Sequence, residues 1–184
     1  MGKSYDGITP ELSKWIERQR IFFVATAPLA GDGLINCSPK GMDTFRVLGP
    51  RDVVYLDLTG SGVETIAHSR ENGRIVFMFC AFDGPPKIVR LHGRCDVLLP
   101  DSAEFQNLAS LFPAYLGRRA ILHASVTRVS DSCGYGVPRY EYAGDRDMLM
   151  RWAAAKGSEG LREYQVKKNA RSLDDLPGLT MPSD

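Results

Sequence analysis

Leu12, Trp15 and Ile16 recur at helical spacing behind Thr9 and Pro10, an N-cap and a residue suited to the first helical position. From residue 21 the period changes. The runs IFFVATA (21–27), LINCS (34–38), FRVL (45–48) and VVYLDL (53–58) are short, β-branched and aromatic, and PLAGDG, PKGMD and GPRD separate them. Such runs joined by tight turns predict an antiparallel meander, not βαβ units. RIVFMFCAF (74–82) is apolar without alternation, which predicts a strand buried on both faces. KIVRLHGRCDVLL (87–99) alternates, with Arg90, His92, Arg94 and Asp96 opposite Val89, Leu91, Cys95 and Val97. Asp101 with Glu104 resembles a capping box opening a helix, and AILHASVTRVS (120–130) reads as a last strand. A Gly-rich loop, SCGYGVPRY, leads to helical segments around 145–156 and 158–169, then to SLDDLPGL. The pattern predicts a mainly β fold with peripheral helices: an antiparallel barrel at about 20–130 with a C-terminal extension at about 131–184, in one domain.

One corner of this pattern holds an unusual set of residues. LDLTGSGVETIAHSREN (56–72) leaves a strand, crosses two glycines and enters a helix. Ser61 and Glu64 match the S-x-x-E capping box, which would account for both residues. Gly60 and Gly62 would let a ligand approach the backbone, while Thr59 and Thr65 add hydroxyls. A helix N-terminus with free N–H groups suits a phosphate. Capped helix and anion site both remain open on these residues, and the P-loop pattern is absent.

A phosphate also wants a cation. In NCSPKGM (36–42), Asn36, Ser38 and Lys40 share one face of a strand ending at Pro39 and Gly41. Arg90, flanked by Val89 and Leu91, is a second candidate and should need an anionic partner. Overall charge is balanced, with 23 Lys+Arg against 22 Asp+Glu, which argues against coating nucleic acid or anionic membrane. There is no membrane-length apolar run and no signal-peptide core, so the cytoplasm is the expected location. The four cysteines form no C-x-x-C pair, and three lie in strand-like runs that predict buried thiols. The histidines His68, His92 and His123 show no ligand spacing, so no metal site is expected.

Taken in order, FVATA, INCSPKGMD, VVYLDLTGSGVETIAHSRENGRIVFMFCAF and PPKIVRLHGRCDVL resemble the pyridoxamine 5′-phosphate oxidase-like family of FMN-binding split barrels. SPKG, TGSGVET, ENGRI and RLHGR carry the resemblance, which spans about residues 10–130. It implies a split barrel with FMN along Ser38, Pro39 and Lys40 and against Asp57, Thr59, Ser61, Gly62 and Thr65, with Arg90 near the flavin. It also implies a homodimer with the cofactor at the interface and a small-molecule substrate. The family's basic pair at the corner is missing, since Gly62, Val63, Glu64 and Thr65 stand there. The residues that hold a substrate phosphate also lack a clear equivalent. The resemblance therefore implies an FMN-dependent oxidoreductase acting on something other than pyridoxamine phosphate, with no side chain required as a nucleophile. A flavin binder without turnover, or a haem or deazaflavin binder on the same barrel, are the alternatives.

Overall fold

The computed structural model describes residues 2–179. Its strands are β1 (Ser4–Tyr5), β2 (Phe22–Thr26), β3 (Asn36–Lys40), β4 (Phe45–Gly49), β5 (Asp52–Leu58), β6 (Arg74–Cys80), β7 (Ile88–Leu98) and β8 (Arg118–Ser132). Its helices are α1 (Pro10–Glu17), α2 (Glu64–Asn72), α3 (Ala103–Ala109) and α4 (Met148–Lys168). All strand pairs are antiparallel, in the order β3-β2-β6-β7-β8-β5-β4, with β1 added on β8.

The sheet curls but does not close. Phe45 on β4, one end of the sheet, meets Phe22 on β2 at 5.2 Å between ring centroids. It also meets Phe77 and Phe79 on β6 at 5.1 and 5.0 Å. Aromatic packing, not a hydrogen-bonded ladder, therefore joins the two halves, at about 0.5–1.5 kcal/mol per ring pair beyond simple burial. Two-residue periodicity fixes which side chains reach that interior. On β2, Phe22, Val24 and Thr26 are buried, while Phe23 and Ala25 are half-buried on the outer face.

Four expectations need correction. β6 alternates in the single chain: Ile75, Phe77 and Phe79 are buried, whereas Val76 and Met78 lie half-buried on the other face. The Ser61–Glu64 capping box does not form, since α2 begins at Glu64 behind Val63 and has no side-chain cap. At α3 the cap is Ser102, whose hydroxyl accepts from Phe105 N–H, and Glu104 turns to His123 instead of closing a box with Asp101. Among the thiols, Cys80 and Cys95 are buried, but Cys37 and Cys133 are exposed. Cys37 lies on the outer face of an end strand, opposite Ala25. The two helical segments of the extension are α4, broken at Gly157 by a positive φ of 66°.

Candidate functional site

β3 presents Asn36, Ser38 and Lys40 to the interior, because they pair with the buried residues Thr26, Val24 and Phe22 of β2. Ser38 Oγ donates to Asn36 Oδ1 at 2.8 Å. Asn36 Nδ2 then donates to Thr26 Oγ1 at 3.1 Å and to Thr65 Oγ1 at 3.0 Å. Thr65 is in the first turn of α2, so one asparagine ties the SPKG strand to the TGSGVET corner. Thr26 Oγ1 also lies 3.0 Å from Nδ1 of the buried His68, whose Nε2 has no hydrogen-bond partner among the described residues and stands 3.9 Å from Asp174 Oδ2.

Asp57 sits at the centre of a buried ionic cluster. It accepts from Tyr55 Oη at 2.8 Å and from Arg119 Nε at 2.7 Å, and Lys40 Nζ lies 3.9 Å away. Burial pushes its carboxyl up, but the charges of Arg119 and Lys40 and the bonds from Arg119 and Tyr55 outweigh that and hold it below its ordinary value. Tyr55 is pushed well up, first by burial and then by the adjacent carboxylate. Arg119 also reaches the corner, where its Nη1 donates to Gly60 O at 3.3 Å.

At the corner, Thr59 Oγ1 donates to Gly117 O at 2.7 Å and accepts from Gln165 Nε2 at 2.7 Å. Asn169 Nδ2 donates to Gly60 O at 3.0 Å. The C-terminal segment thus satisfies the corner's acceptors. The backbone N–H groups of residues 60–66, by contrast, donate to no protein acceptor among the described residues. A Cβ on Gly60 would meet nothing within 4 Å, so the backbone there is open to approach.

Lys40 and Pro39 also line an open cleft of about 1940 Å³. Its walls include Trp15, Phe23, Phe82 and Tyr140. Aromatic walls with a few cations suit a planar anionic ligand.

Of the residues expected at the site, Lys40 lies near Asp57, Asn36 links Ser38 to Thr65, and Thr59, Ser61 and Gly62 form the corner that follows β5. Pro39 faces the cleft from the outer side of β3. Arg90 is elsewhere. It lies on the outer face of β7 opposite Met78, and its partner is the Ser132 hydroxyl at 3.0 Å, not a carboxylate. Its half-exposed position lets water and one neutral acceptor satisfy the guanidinium. Arg119, Gln165 and Asn169 were not among the expected residues. Only the polar "GRR" before an apolar strand hinted at Arg119.

A curled, open antiparallel sheet with a polar strand facing a glycine-rich helix corner is the architecture of a split barrel. The sequence comparisons agree. A family model described as pyridoxamine 5′-phosphate oxidase matches residues 8–133. The Aspergillus flavus pyridoxamine 5′-phosphate oxidase family protein ustO is 39% identical over 192 residues, covering 95% of this chain and 77% of that protein. The chain belongs to the pyridoxamine 5′-phosphate oxidase family. The fold is shared with Group A Streptococcus HupZ, at 22% identity and a TM-score of 0.54, over 66% of this chain and 91% of that one. It is shared too with a Lactobacillus delbrueckii protein described as a candidate pyridoxamine 5′-phosphate oxidase, at 17% identity and a TM-score of 0.52, over 69% and 98%.

Proposed function

We propose that this chain is an FMN-binding flavoprotein, a cytoplasmic oxidoreductase acting on a small organic substrate, working as a homodimer with the cofactor at the interface. The observation that carries this reading is the Asn36 bridge. It brings the polar row of β3 against the first turn of α2, where an anion would find unpaired N–H groups. The residues present fit the cofactor. The corner offers donors without protein acceptors among the described residues, Lys40 adds a cation, and the cleft that Lys40 lines has aromatic walls.

When bound, the flavin supplies the hydride chemistry. The chain's own part is to bind and orient. The N–H groups of residues 60–66 and the Lys40 ammonium hold the phosphate. Ser38, fixed by Asn36, offers a hydroxyl on the same face of β3 as Lys40. Asp57 and Arg119 keep Lys40 and the corner in place from beneath. No side chain is assigned as nucleophile. The outer face of β2 and β6, with Phe23, Val76 and Met78 half-buried, supports the homodimer. In that arrangement Arg90 would face the second copy. Among the described residues no helix is long and apolar enough to cross a membrane. Pyridoxamine phosphate is not the proposed substrate, because the residues that hold a substrate phosphate in the family have no clear equivalent in the sequence, and Gly62, Val63, Glu64 and Thr65 stand where its basic pair belongs.

The test is an absorbance spectrum of purified protein, with released cofactor identified by mass. A flavin spectrum and FMN mass are expected, together with bleaching by NADH or NADPH and a dimer in sedimentation. A colourless protein that ignores FMN, riboflavin and FAD sinks the flavin reading. A bound flavin that no reductant or substrate bleaches leaves a binder without turnover. A Soret band or deazaflavin fluorescence replaces FMN with those groups.

A further inference from the structure

We infer that Asp174 and His68 are positioning residues that fix Ser38 as a hydrogen-bond acceptor, so that Ser38 takes a hydroxyl of the ligand and not its phosphate. The ligand named here rests on the FMN reading above, whereas the relay rests on the hydrogen-bond network alone. His68 is fully buried on α2, yet its Nε2 has no hydrogen-bond partner among the described residues. The carboxylate facing that nitrogen is Asp174, with Oδ2 at 3.9 Å, and the same oxygen accepts from Leu34 N–H at 2.9 Å. On the other side of the ring, Nδ1 lies 3.0 Å from Thr26 Oγ1. Thr26 accepts from Asn36 Nδ2, and Asn36 Oδ1 accepts from Ser38 Oγ. One chain of contacts thus runs from the C-terminal segment to the polar row of β3.

The imidazole proton sets the sense of that chain. A proton on Nε2 points at the Asp174 carboxylate, and Nδ1 is then free to accept from the Thr26 hydroxyl. Thr26 has no proton left for Asn36, so the amide turns its Nδ2 toward Thr26 and Thr65 and its Oδ1 toward Ser38. With the proton on Nδ1, the lone pair of Nε2 would face a carboxylate. The Thr26 hydroxyl would also lack an acceptor unless the amide turned over. The charge of Asp174 therefore selects the first arrangement through space, without a hydrogen bond of its own to the ring. In that arrangement the Ser38 proton is committed to Asn36, and the half-buried Ser38 oxygen offers only lone pairs. Lys40 is on the same face two residues on, about 7 Å along the strand. β3 thus presents a cation for a phosphate and, one step along, an acceptor for a donor. A phosphate ester of a polyhydroxylated chain carries those two groups in that order.

The experiment reads the His68 ring nitrogens by nitrogen NMR and titrates FMN, riboflavin and lumiflavin against the wild type, Asp174→Asn and Ser38→Ala. The wild-type ring should carry its proton on Nε2. Asparagine keeps the shape and can still accept from Leu34, but it removes the charge, so in Asp174→Asn the Nδ1–H form should become populated. A merely structural contact would leave the ring proton where it is. Ser38→Ala should weaken FMN and riboflavin alike, roughly two- to tenfold, the loss of one neutral hydrogen bond. Lumiflavin, with a methyl group in place of the chain, should bind wild type and Ser38→Ala equally. An Nδ1–H ring in the wild type, or ring shifts unchanged in Asp174→Asn, overturns the inference. So does a Ser38→Ala that binds both flavins as wild type does, or whose loss is confined to FMN, since Ser38 would then donate to the phosphate. If no flavin binds any of the proteins, the FMN reading falls and the ring shifts decide the relay alone. An Nε2–H ring that becomes mixed in Asp174→Asn supports it, and any other pattern overturns it.

Discussion

Arg119→Met is the sharpest perturbation available to the ionic cluster beneath the corner. Asp57 is fully buried and Arg119 is 5% exposed, with Nε to Oδ2 at 2.7 Å. Removing the guanidinium strands a carboxylate in the interior. The Tyr55 hydroxyl at 2.8 Å remains, and Lys40 remains at 3.9 Å, outside hydrogen-bond reach. Breaking a buried pair from one side costs about 3–5 kcal/mol, much of it the uncompensated charge. The long bond to Gly60 O at 3.3 Å adds about 1 kcal/mol or less. Typical total stabilities are only about 5–15 kcal/mol, so the variant should be folded but visibly weakened.

The assay is urea unfolding at several pH values, with Arg119→Met/Asp57→Asn as the companion variant. In the wild type the Asp57 carboxyl is held below 3.8 in the folded state, so its stabilisation is present above pH 3.8 and is lost as pH falls through the depressed folded value. In Arg119→Met burial dominates and raises that carboxyl. The cost of the substitution should then be greatest at neutral pH and shrink as acid neutralises the stranded group. Removing the charge as well should recover about half of the loss. A cost under about 1 kcal/mol, or one that ignores pH, would show that Lys40 or water satisfies Asp57 and that the pair holds little together.

Other substitutions read the remaining parts of the site and the fold. Lys40→Ala should weaken FMN roughly ten- to hundredfold, the loss of one charge-assisted contact, while titrations with riboflavin change little. Its apoprotein should lose only about 1 kcal/mol in a melt, because Arg119 still pairs Asp57. Ser61→Ala should leave apoprotein stability within about 0.5 kcal/mol, since Ser61 caps nothing, whereas Ser102→Ala should cost about 1 kcal/mol. His123 lies 2.7 Å from Asp52 and 3.0 Å from Glu104. Burial lowers its affinity for a proton, but the bonds to Glu104 and Asp52 win and raise it above 6.5. Wild type should therefore exceed His123→Gln in stability by under about 1 kcal/mol below pH 6.5, and the difference should vanish as pH rises through the raised folded value.

The strands were legible because their signal is local. A period of two put Asn36, Ser38 and Lys40 on one face, and the pairing with β2 agrees. Pro39 misled in one respect: it suggested that the strand ends there, yet β3 runs on to Lys40. β3 ends the sheet and pairs on one side only, so a missing N–H costs it little. The non-local parts were not legible. S-x-x-E looks like a cap, but its glutamate is taken by Leu173, and no local pattern records a partner 109 residues away. Arg119 failed to register for the same reason. Its partner Asp57 is 62 residues away, and the pair exists only because β5 and β8 are neighbours. The apolar neighbours of Arg90 suggested that it needs an anionic partner, but those neighbours point to the opposite face and its partner is the Ser132 hydroxyl.

The α2 corner is thus built by two stretches of chain that the family resemblance treats unequally. The family model matches residues 8–133, which include α2 and every strand but β1. Three partners of the corner lie beyond it: Gln165 on Thr59, Asn169 on Gly60, and Leu173 on Glu64. Arg70 of α2 likewise donates to Gly178 O. These contacts take up acceptors of the corner, while the N–H groups of residues 60–66 have no protein acceptor among the described residues. A corner flanked by the usual basic pair would hold a phosphate by charge. On the proposed reading this one would rely on oriented N–H groups and on Lys40, with the Glu64 carboxylate beside Gly62. Oriented dipoles discriminate by position and charge by magnitude. If the proposed FMN reading holds, residues 165–179 help set the geometry of its phosphate site, and changes in that segment should alter FMN affinity without touching the sheet.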